Sequence, residues 1–429
     1  MMALMGNEAH NPRADQGLIT PDEYLRILDA QLAPLPTERR RVAQSQGCVL
    51  AADVHVLTPT PAFTNSAMDG FACRLADIEK QGIPATMPVS ADVPAGNPLV
   101  VLAPRTVARI MTGAPVPDGA DTIVPVEDTN VPAGPRELPS EVRIEKAPKP
   151  GAHIRRAGEI MGAGEVVAEK GQVLTPFTIG GILSAGVSEV DVVPLPRVLV
   201  ISTGAELLSA SGGSASLDDG GTFINDSNGP MIAALLRQWG CTDVHNTSVN
   251  DDPEALAEVI SDHAGLVDLV VTTGGVSAGA FDPLKMLADS GRDDVDLHFL
   301  KVAQQPGKPQ GYGTIGDGRI MMLPGNPVSA FVSAWLYVRH VFGRLSTHPT
   351  RLAYVTGRMS ASLGPFGGKR RFVPAVLRDG EFSLLGADRG FSHAASTLHR
   401  ANVLLIVEPD TAATEGDEMR AIAIDRSAV

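Results

Sequence analysis

The clearest hydrophobic pattern is an alternation of apolar runs with amphipathic segments between residues 195 and 344. The run Val-Leu-Val-Ile from Val198 to Ile201 is typical of a parallel strand buried on both faces. Further strands are predicted at 267–272, 297–302 and 319–323. Helices are predicted after the cap and proline signals at 227–230 and 251–253, and from 327 to 342. This order predicts a doubly wound α/β domain, whose ligands bind beyond the carboxyl ends of the strands.

The flanking segments have other patterns. Thr20-Pro-Asp-Glu23 combines a threonine cap, a first-turn proline and a glutamate placed to bond back to the cap, which predicts a helix. Short β-type runs broken by Pro and Gly fill residues 55–149 and indicate an inserted β domain. The last segment, 345–429, has short alternating strands typical of a small β-barrel or sandwich. The predicted organisation is a flexible tail (1–17), an elongated α/β domain (18–54 plus 150–194, with a helix near 176–185), the inserted β domain, the α/β domain (195–344) and the C-terminal β domain.

Composition narrows the class of protein. A chain of 429 residues is too long for one hydrophobic core of typical size. With 44% hydrophobic and 20% charged residues, its composition is that of a globular protein with a slightly apolar surface, as in many oligomers. A formal net charge of −14 disfavours nonspecific binding to nucleic acid or anionic membrane. Cys48, Cys73 and Cys241 are too far apart for a metal knuckle and odd in number for a disulfide framework. No window suits a signal peptide or a membrane span, so a cytoplasmic protein is expected.

Two glycine-rich loops follow apolar strands and precede helix signals. Free backbone N–H groups and the positive end of a helix dipole bind anions at such places. Because both loops are predicted on one sheet, we expect a ligand with more than one anionic group. The candidate ligand-binding residues of these loops are Gly274, Gly275, Ser277, Pro324, Gly325, Asn326 and Ser329.

Acidic, hydroxyl and basic side chains beside turns supply the remaining candidates. Asp69, Thr112, Glu206, Asp226 and Asp282 lie next to turns, where carboxylates suit a hard cation such as Mg²⁺. Singly, each is more simply a turn or helix cap; together around one sheet they indicate a site. Lys301 and Lys308 flank a tight turn, and Lys369, Arg370 and Arg371 form a second basic patch; both sets can bind oxyanions, or be solvated surface. No zinc-protease, Cys-x-x-Cys, Gly-x-Ser-x-Gly or Walker motif occurs.

The ordered motifs resemble the molybdopterin molybdenumtransferase family, which is related to the E domain of gephyrin. The resemblance runs from about Leu18 to the C-terminus. It is carried by Asn-Ser-Ala-Met-Asp-Gly-Phe-Ala at 65–72, Arg-Ile-Met-Thr-Gly-Ala-Pro-Val-Pro at 109–117 with Gly-Ala-Asp at 119–121, Ser-Thr-Gly at 202–204 with Glu206, Asn-Asp-Ser-Asn at 225–228, Thr-Gly-Gly-Val-Ser at 273–277, Pro-Gly-Lys-Pro at 306–309 and Leu-Pro-Gly-Asn-Pro-Val-Ser-Ala at 323–330.

The resemblance implies a fold of four domains and an elongated homodimer. Each cleft would be shared between the α/β domain of one subunit and the helical and β domains of the other. The implied reaction inserts molybdate into the dithiolene of adenylylated molybdopterin, with Mg²⁺-dependent cleavage of the phosphoanhydride and release of AMP. Contact with the enzyme that adenylylates molybdopterin is a further implied partnership.

The resemblance also assigns roles to individual residues. On this basis we hypothesise that Asp226 and Asp282, with Glu206 as a third candidate, would hold Mg²⁺ against the phosphoanhydride. Lys308, Ser277 and Ser329 bind molybdate, while Asp69 and Thr112 reach the cleft of the other subunit. The remaining implied substrate contacts are Gly274, Gly275, Lys301, Pro324, Gly325, Asn326 and Arg371.

Three positions depart from the family pattern. Gln305 replaces a second lysine before Pro-Gly-Lys, Ile160 replaces an aspartate after Gly-Glu, and Pro374 replaces an arginine in the last domain. Lys369, Arg370 or Arg371 can substitute for that arginine. The alternatives to molybdate insertion are adenylylation of molybdopterin and a gephyrin-like scaffold without catalysis, and the choice between molybdate and tungstate stays open.

Overall fold

A computed structural model of the chain describes residues 17–96, 98–134, 136–208, 224–276, 282–385 and 395–425. The chain forms two compact units. The larger unit comprises residues up to 37, 47–49 and from 193 onwards, and the smaller comprises 38–46 and 50–192. Residues 1–16 of the predicted tail lie outside the described residues, as does Ser277. The finer division into four domains stays a prediction.

Proline and cap signals fix where most helices begin. At the first helix, Thr20 Oγ1 accepts a hydrogen bond from the N–H of Glu23 at 3.1 Å, and Glu23 Oε2 accepts one from the N–H of Thr20 at 2.7 Å. The predicted capping box is therefore confirmed. The α-helices are α1 Pro21–Gln31, α2 Leu75–Gln81, α3 Pro176–Ser184, α4 Asn228–Gln238, α5 Pro253–Asp262, α6 Pro283–Ala288, α7 Pro327–Ser333 and α8 Arg339–Ser346.

The predicted final helix is α7 and α8 joined by a π-helical segment, Ala334–Val338. It runs to Ser346, four residues beyond the predicted end at Phe342. Short 3₁₀ helices occur at Val42–Gln44, Val126–Asp128 and Ala395–Arg400. Within the described parts of the chain, no helix is both long and apolar enough to cross a bilayer.

A five-stranded sheet dominates the smaller unit, within the segment predicted as an inserted β domain. Its order is β8-β5-β7-β6-β9. Neighbouring residues of β5 enter cores on opposite faces, Phe71 on one and Ala72 on the other, so the sheet is covered on both sides. The first twelve strands are β1 Glu38–Arg41, β2 Val49–Leu50, β3 Val54–His55, β4 Asn65–Ser66, β5 Gly70–Cys73, β6 Ala85–Val93, β7 Val107–Ile110, β8 Thr122–Pro125, β9 Glu141–Ile144, β10 Ile154–Arg155, β11 Val166–Ala168 and β12 Glu189–Val193.

The larger unit contains the predicted α/β domain. Its six-stranded sheet has the order β16-β13-β17-β21-β20-β18, with the first four strands parallel and the last two joined antiparallel. Consecutive residues of β13, such as Val198 and Leu199, belong to separate hydrophobic cores on the two faces of the sheet. Both faces are therefore covered, which confirms the doubly wound arrangement. The strands of this sheet are β13 Val198–Thr203, β16 Val244–Val249, β17 Leu269–Thr273, β18 Val295–Lys301, β20 Pro309–Ile315 and β21 Gly318–Leu323. Outside it, β14 Leu207–Leu208 pairs with β15 Ile224–Asn225, and β19 Gln304–Gln305 pairs with β23 of the C-terminal segment.

The C-terminal strands close into a barrel. They follow one another as β23-β24-β22-β26-β25, and β25 pairs back with β23 to complete the ring. Of the two predicted forms, barrel or sandwich, the structure has the barrel. Met359, Val373, Phe382 and Leu405 belong to its interior. The strands are β22 Tyr354–Met359, β23 Arg370–Arg378, β24 Glu381–Leu384, β25 Val403–Val407 and β26 Glu418–Ala423.

Candidate functional site

A cleft of about 540 Å³ lies in the larger unit, where the parallel strands β13, β17 and β21 end. Its position is the one expected for ligands of a doubly wound sheet. The loops that follow those three strands line it together with the first turn of α4. The predicted site residues that line this cleft are Glu206, Gly274, Gly275, Asp226, Asp282, Pro324, Gly325, Asn326 and Ser329.

The two glycine loops touch each other inside the cleft. Gly274 has φ +91°, and a Cβ atom there would lie 2.6 Å from the backbone oxygen of Thr203. A Cβ atom on Gly325 would lie 3.3 Å from Cα of Gly274. A side chain at Gly274 would meet both backbone strain and a fixed carbonyl, so glycine is required for this loop conformation. The close contact brings the backbone of both loops to one place.

Asn228 connects helix α4 to the second loop. Its Nδ2 donates a hydrogen bond to the carbonyl oxygen of Gly325 at 2.7 Å. Its side chain is buried, and Oδ1 has no hydrogen-bond partner among the described residues. Asp226 Oδ1 accepts hydrogen bonds from the N–H groups of Asn228 at 3.0 Å and Gly229 at 3.1 Å, which holds the first turn of α4. The sequence motif contained Asn228, but its contact with the loop could not be predicted from spacing.

The three predicted metal ligands share this cleft without forming a closed site. Among the described residues, no three acidic, His or Cys side chains are grouped so as to hold a metal ion by themselves. Mg²⁺ usually binds one or two protein carboxylates and takes its other ligands from substrate phosphates and water. Glu206, Asp226 and Asp282 fit that kind of open site, and their assignment as metal ligands stays a prediction.

Asp251 lines the cleft, whereas the sequence predicted only that it lies at the start of a helix. It follows β16, and its Oδ2 accepts a hydrogen bond from the N–H of Ala205 at 3.1 Å. The bond ties the loop after β13 to the loop after β16. The signal that could have identified it is its position beyond the carboxyl end of a parallel strand.

The predicted basic residues are not part of the cleft lining formed by the described residues. Lys308 immediately precedes Pro309, which does line it, and the carbonyl oxygen of Lys308 accepts a hydrogen bond from the N–H of Val302 at 2.8 Å. Lys301 is the last residue of β18 and is exposed. Both lysines therefore stay predicted ligand contacts.

The basic patch near the barrel has contacts of its own. Arg370 bonds to Glu408 at 2.9 Å and Asp22 at 3.2 Å. Arg371 donates to the carbonyl oxygen of Gly364 and lies 5.6 Å from the ring centre of Phe366. Its strand partner is Gln305, one of the three departures from the family pattern.

Neither of the other two departures is among the described residues that line this cleft. Pro374 lies inside β23 opposite Leu404. Ile160 lies on the surface of the smaller unit, where it is 68% exposed.

Asp69 and Thr112 form a pair within the smaller unit. Asp69 Oδ1 accepts hydrogen bonds from the backbone N–H of Thr112 at 2.7 Å and from its hydroxyl at 2.8 Å. These two bonds, the backbone one first, lower the pKa of Asp69 below its ordinary value. Because the lowered pKa belongs to the folded state, the pair stabilises the fold above the ordinary aspartate pKa and loses this effect as pH falls through the lowered value.

We expect Thr112→Val to raise the pKa of Asp69 part of the way to its ordinary value. Valine keeps the shape and the backbone donor but removes the hydroxyl donor, so only one of the two bonds is lost. Thr112→Ser, which keeps the hydroxyl, should leave the pKa close to that of the unmodified protein. Titration of the Asp69 carboxyl carbon by NMR checks both variants. Equal pKa values for Asp69 in the two variants would show that the hydroxyl has no such effect.

Comparisons with known proteins cover most of the chain. Residues 19–186 match the family described as MoeA N-terminal region (domain I and II), and residues 199–344 match the probable molybdopterin binding domain. Molybdopterin molybdenumtransferase 2 of Mycobacterium tuberculosis is 40% identical over 381 residues, which covers 86% of this chain and 90% of that protein. The molybdopterin molybdenumtransferase of Haemophilus influenzae is 29% identical and covers 90% of this chain and 93% of its own length.

A solved structure shares the fold. The crystal structure of a molybdopterin biosynthesis MoeA protein from Pyrococcus horikosii superposes with a TM-score of 0.74, covering 95% of this chain and 100% of that one. At 22% identity it supports the fold alone. The sequence motifs, both domain matches and the 40% identical relative lead to one conclusion: the chain belongs to the molybdopterin molybdenumtransferase family.

Proposed function

We propose that this protein is a transferase of molybdenum cofactor biosynthesis that inserts molybdate into adenylylated molybdopterin and releases AMP. The observation that carries the proposal is the cleft at the ends of β13, β17 and β21. Two glycine loops meet there, and Glu206, Asp226 and Asp282 line the same space. Relatives that bear the name of this activity align with most of the chain.

The chain's own groups can bind a ligand with two linked phosphates. Backbone N–H groups of the two loops, which touch at Gly274 and Gly325, are suited to phosphate oxygens. The Ser329 hydroxyl lies on the first turns of α7, within the cleft lining. Two backbone bonds fix the orientation of the Asp226 carboxylate, which also lines the cleft. A carboxylate held in this way would be ready to bind Mg²⁺ against the phosphates, so little reorganisation would be needed during the reaction.

Cleavage of the phosphoanhydride consumes one water molecule. The water oxygen adds to one phosphorus, the bridging P–O bond breaks, and the products are AMP and the pterin phosphomonoester. In the proposal, one or two of the cleft carboxylates would hold Mg²⁺, which would supply positive charge to the phosphate groups. The cleft carboxylates and the loop N–H groups would hold the anhydride in place for this step.

Molybdate-dependent release of AMP tests the proposal. The purified protein is incubated with adenylylated molybdopterin and Mg²⁺, with and without molybdate, and AMP is measured. AMP release that requires both ions supports insertion. Release of pyrophosphate from ATP and molybdopterin would instead support adenylylation, and failure to bind either pterin would support a non-catalytic scaffold. Parallel reactions with tungstate determine which oxyanion is used.

The proposal includes a homodimer, a cytoplasmic location and contact with the adenylylating enzyme. An exposed apolar face in the smaller unit supports the dimer. On α3, Phe177 is 91% exposed and Leu183 44% exposed, and no atom lies within 4 Å of a Cβ position on Gly180 between them. Leu57, 68% exposed, lies beside the end of this helix, where its N–H donates to the carbonyl oxygen of Ala185. Apolar patches of this kind mark interaction surfaces.

We expect Phe177→Glu to weaken the dimer, because a carboxylate would lose its hydration in an apolar interface. The change should convert most of the protein to monomer at micromolar concentration, measured by size-exclusion chromatography with light scattering. Val101→Glu is the matched control, since Val101 is another exposed apolar residue of the same unit, at 77%. A dimer that persists equally in both variants would show that this face is not part of the dimer interface.

A further inference from the structure

A buried set of polar side chains lies directly beneath the Pro306-Gly307-Lys308 turn. Gln304 Nε2 donates a hydrogen bond to the carbonyl oxygen of Pro306 at 3.0 Å. Gln310 Nε2 donates to the carbonyl oxygen of Gly307 at 2.8 Å. Both glutamine side chains are fully buried. The two side-chain amides therefore donate hydrogen bonds to successive backbone carbonyl groups of the turn.

The same amides bond to the helix that follows the second glycine loop. Gln310 Nε2 also donates to Ser333 Oγ at 2.6 Å, and the Tyr337 hydroxyl donates to Gln304 Oε1. Ser333 ends α7, and Tyr337 lies in the π-helical segment that continues it. Burial raises the pKa of Tyr337, so its hydroxyl remains protonated and keeps its role as donor. π-helical segments often occur at functional sites, where they rotate a side chain out of the regular helical spacing.

The packing beneath the turn is tight. Gly307 has φ +89°, and a Cβ atom there would lie 2.8 Å from Gln304 Nε2 and 2.9 Å from Ser333 Oγ. The backbone of the turn therefore rests directly on these polar groups. Buried polar groups are costly unless they are bonded, and a connected network in a dry interior fixes one geometry.

One continuous helix thus contacts two separate anion-binding candidates. It begins at the Asn326 cap and carries Ser329 on its first turns, in the cleft lining. About one and two helical turns further on, Ser333 and Tyr337 bond to the glutamine side chains that support the turn carrying Lys308. These buried bonds therefore connect the turn to the helix on which Ser329 lies.

We infer that Gln304, Gln310 and Tyr337 are positioning residues that fix Lys308 relative to Ser329, so that both side chains reach the same oxyanion. This inference rests on the proposed function for the identity of the oxyanion. The residues act through the turn and need not touch the ligand. Gln304, Gln310 and Tyr337 lie outside the family motifs in this sequence. They would affect the ligand only through the buried hydrogen-bond network.

Tyr337→Phe tests the inference against a matched control. Tyr24 is equally buried, its ring centre lies 4.7 Å from that of Tyr337, and its hydroxyl donates to the carbonyl oxygen of Gly311 at 3.2 Å, within strand β20. Tyr24→Phe therefore removes a similar buried bond that does not reach the turn. Both variants should lose comparable thermal stability.

The measurement is the affinity for molybdate, by titration calorimetry of the full-length protein, together with kinetics of AMP release. We expect Tyr337→Phe to weaken molybdate binding and raise its KM about tenfold, the effect of one buried hydrogen bond. Tyr24→Phe should leave both values unchanged. Ser333→Ala, which removes a partner of Gln310, should change affinity in the same direction as Tyr337→Phe.

Equal molybdate affinity in all variants would overturn the inference, and so would equal weakening by Tyr24→Phe and Tyr337→Phe. Absence of molybdate binding by the unmodified protein would overturn it as well. Loss of the proposed function is a separate result, because it appears as absence of AMP release by the unmodified protein even where molybdate binds.

Discussion

Asp226→Asn is expected to reduce molybdate-dependent AMP release by about 100-fold or more, the usual effect of removing one preorganised charged or polar group from a reaction centre. Asparagine keeps the Oδ1 acceptor that bonds to the N–H groups of Asn228 and Gly229, so the first turn of α4 should stay intact. What is lost is the negative charge facing the cleft. Because the local structure is kept, the free energy of unfolding should change by less than about 1 kcal/mol.

The matched control for this variant is Asp252→Asn. Asp252 caps α5 in a similar way, with Oδ1 accepting from the N–H groups of Glu254 and Ala255, and it is not part of the cleft lining among the described residues. Its replacement should leave AMP release close to that of the unmodified protein. The kinetics are measured at saturating Mg²⁺, with unfolding followed by circular dichroism. Full activity of Asp226→Asn would remove this carboxylate from the reaction.

Gly274→Ala is expected to destabilise the fold by about 2–4 kcal/mol and to abolish ligand binding. An alanine at φ +91° costs about 1–3 kcal/mol in backbone strain. Its Cβ would in addition lie 2.6 Å from both the backbone oxygen and Oγ1 of Thr203, so the loop would have to move. Movement of this loop would also separate it from Gly325 and open the cleft. Urea denaturation measures the first effect, and titration with AMP and Mg²⁺ measures the second.

Gly265→Ala is the control for backbone strain alone. Gly265 has φ +74°, and no atom lies within 4 Å of a Cβ position there. Alanine at Gly265 should therefore cost only the strain, and ligand binding should be unaffected. If both variants lost the same stability and both bound AMP normally, close contact between the loops would not matter for the site.

Local signals in the sequence predicted much of the fold. The capping box at Thr20 and the prolines at 253 and 327 involve residues a few positions apart, so their geometry is already encoded in the spacing. Long apolar runs predicted the buried strands β13 and β17 for the same reason. Strand β20 was not predicted, because its sequence contains no apolar run. The antiparallel direction of β18 was not predicted either, because an apolar run does not show which way its strand lies in the sheet.

The candidate site was only partly predictable. The glycine loops and the carboxylates follow parallel strands, so sheet topology brings them to one edge. Asn228 and Asp251 were missed as site residues because their roles depend on contacts between loops far apart in sequence. Gln304 and Gln310 resemble ordinary polar residues near a turn, and only their complete burial reveals a structural role. The π-helical segment that presents Tyr337 leaves no mark in the hydrophobic pattern.

Reconstitution of a molybdenum enzyme tests the central claim most directly. The full-length protein is incubated with adenylylated molybdopterin, molybdate and Mg²⁺, and the product is added to an apo molybdenum enzyme whose activity is then measured. The account predicts activation with the unmodified protein and at most a small fraction of it with Asp226→Asn. Well-folded protein that gives no activation, or equal activation by both forms, would contradict the claim that this cleft catalyses molybdate insertion.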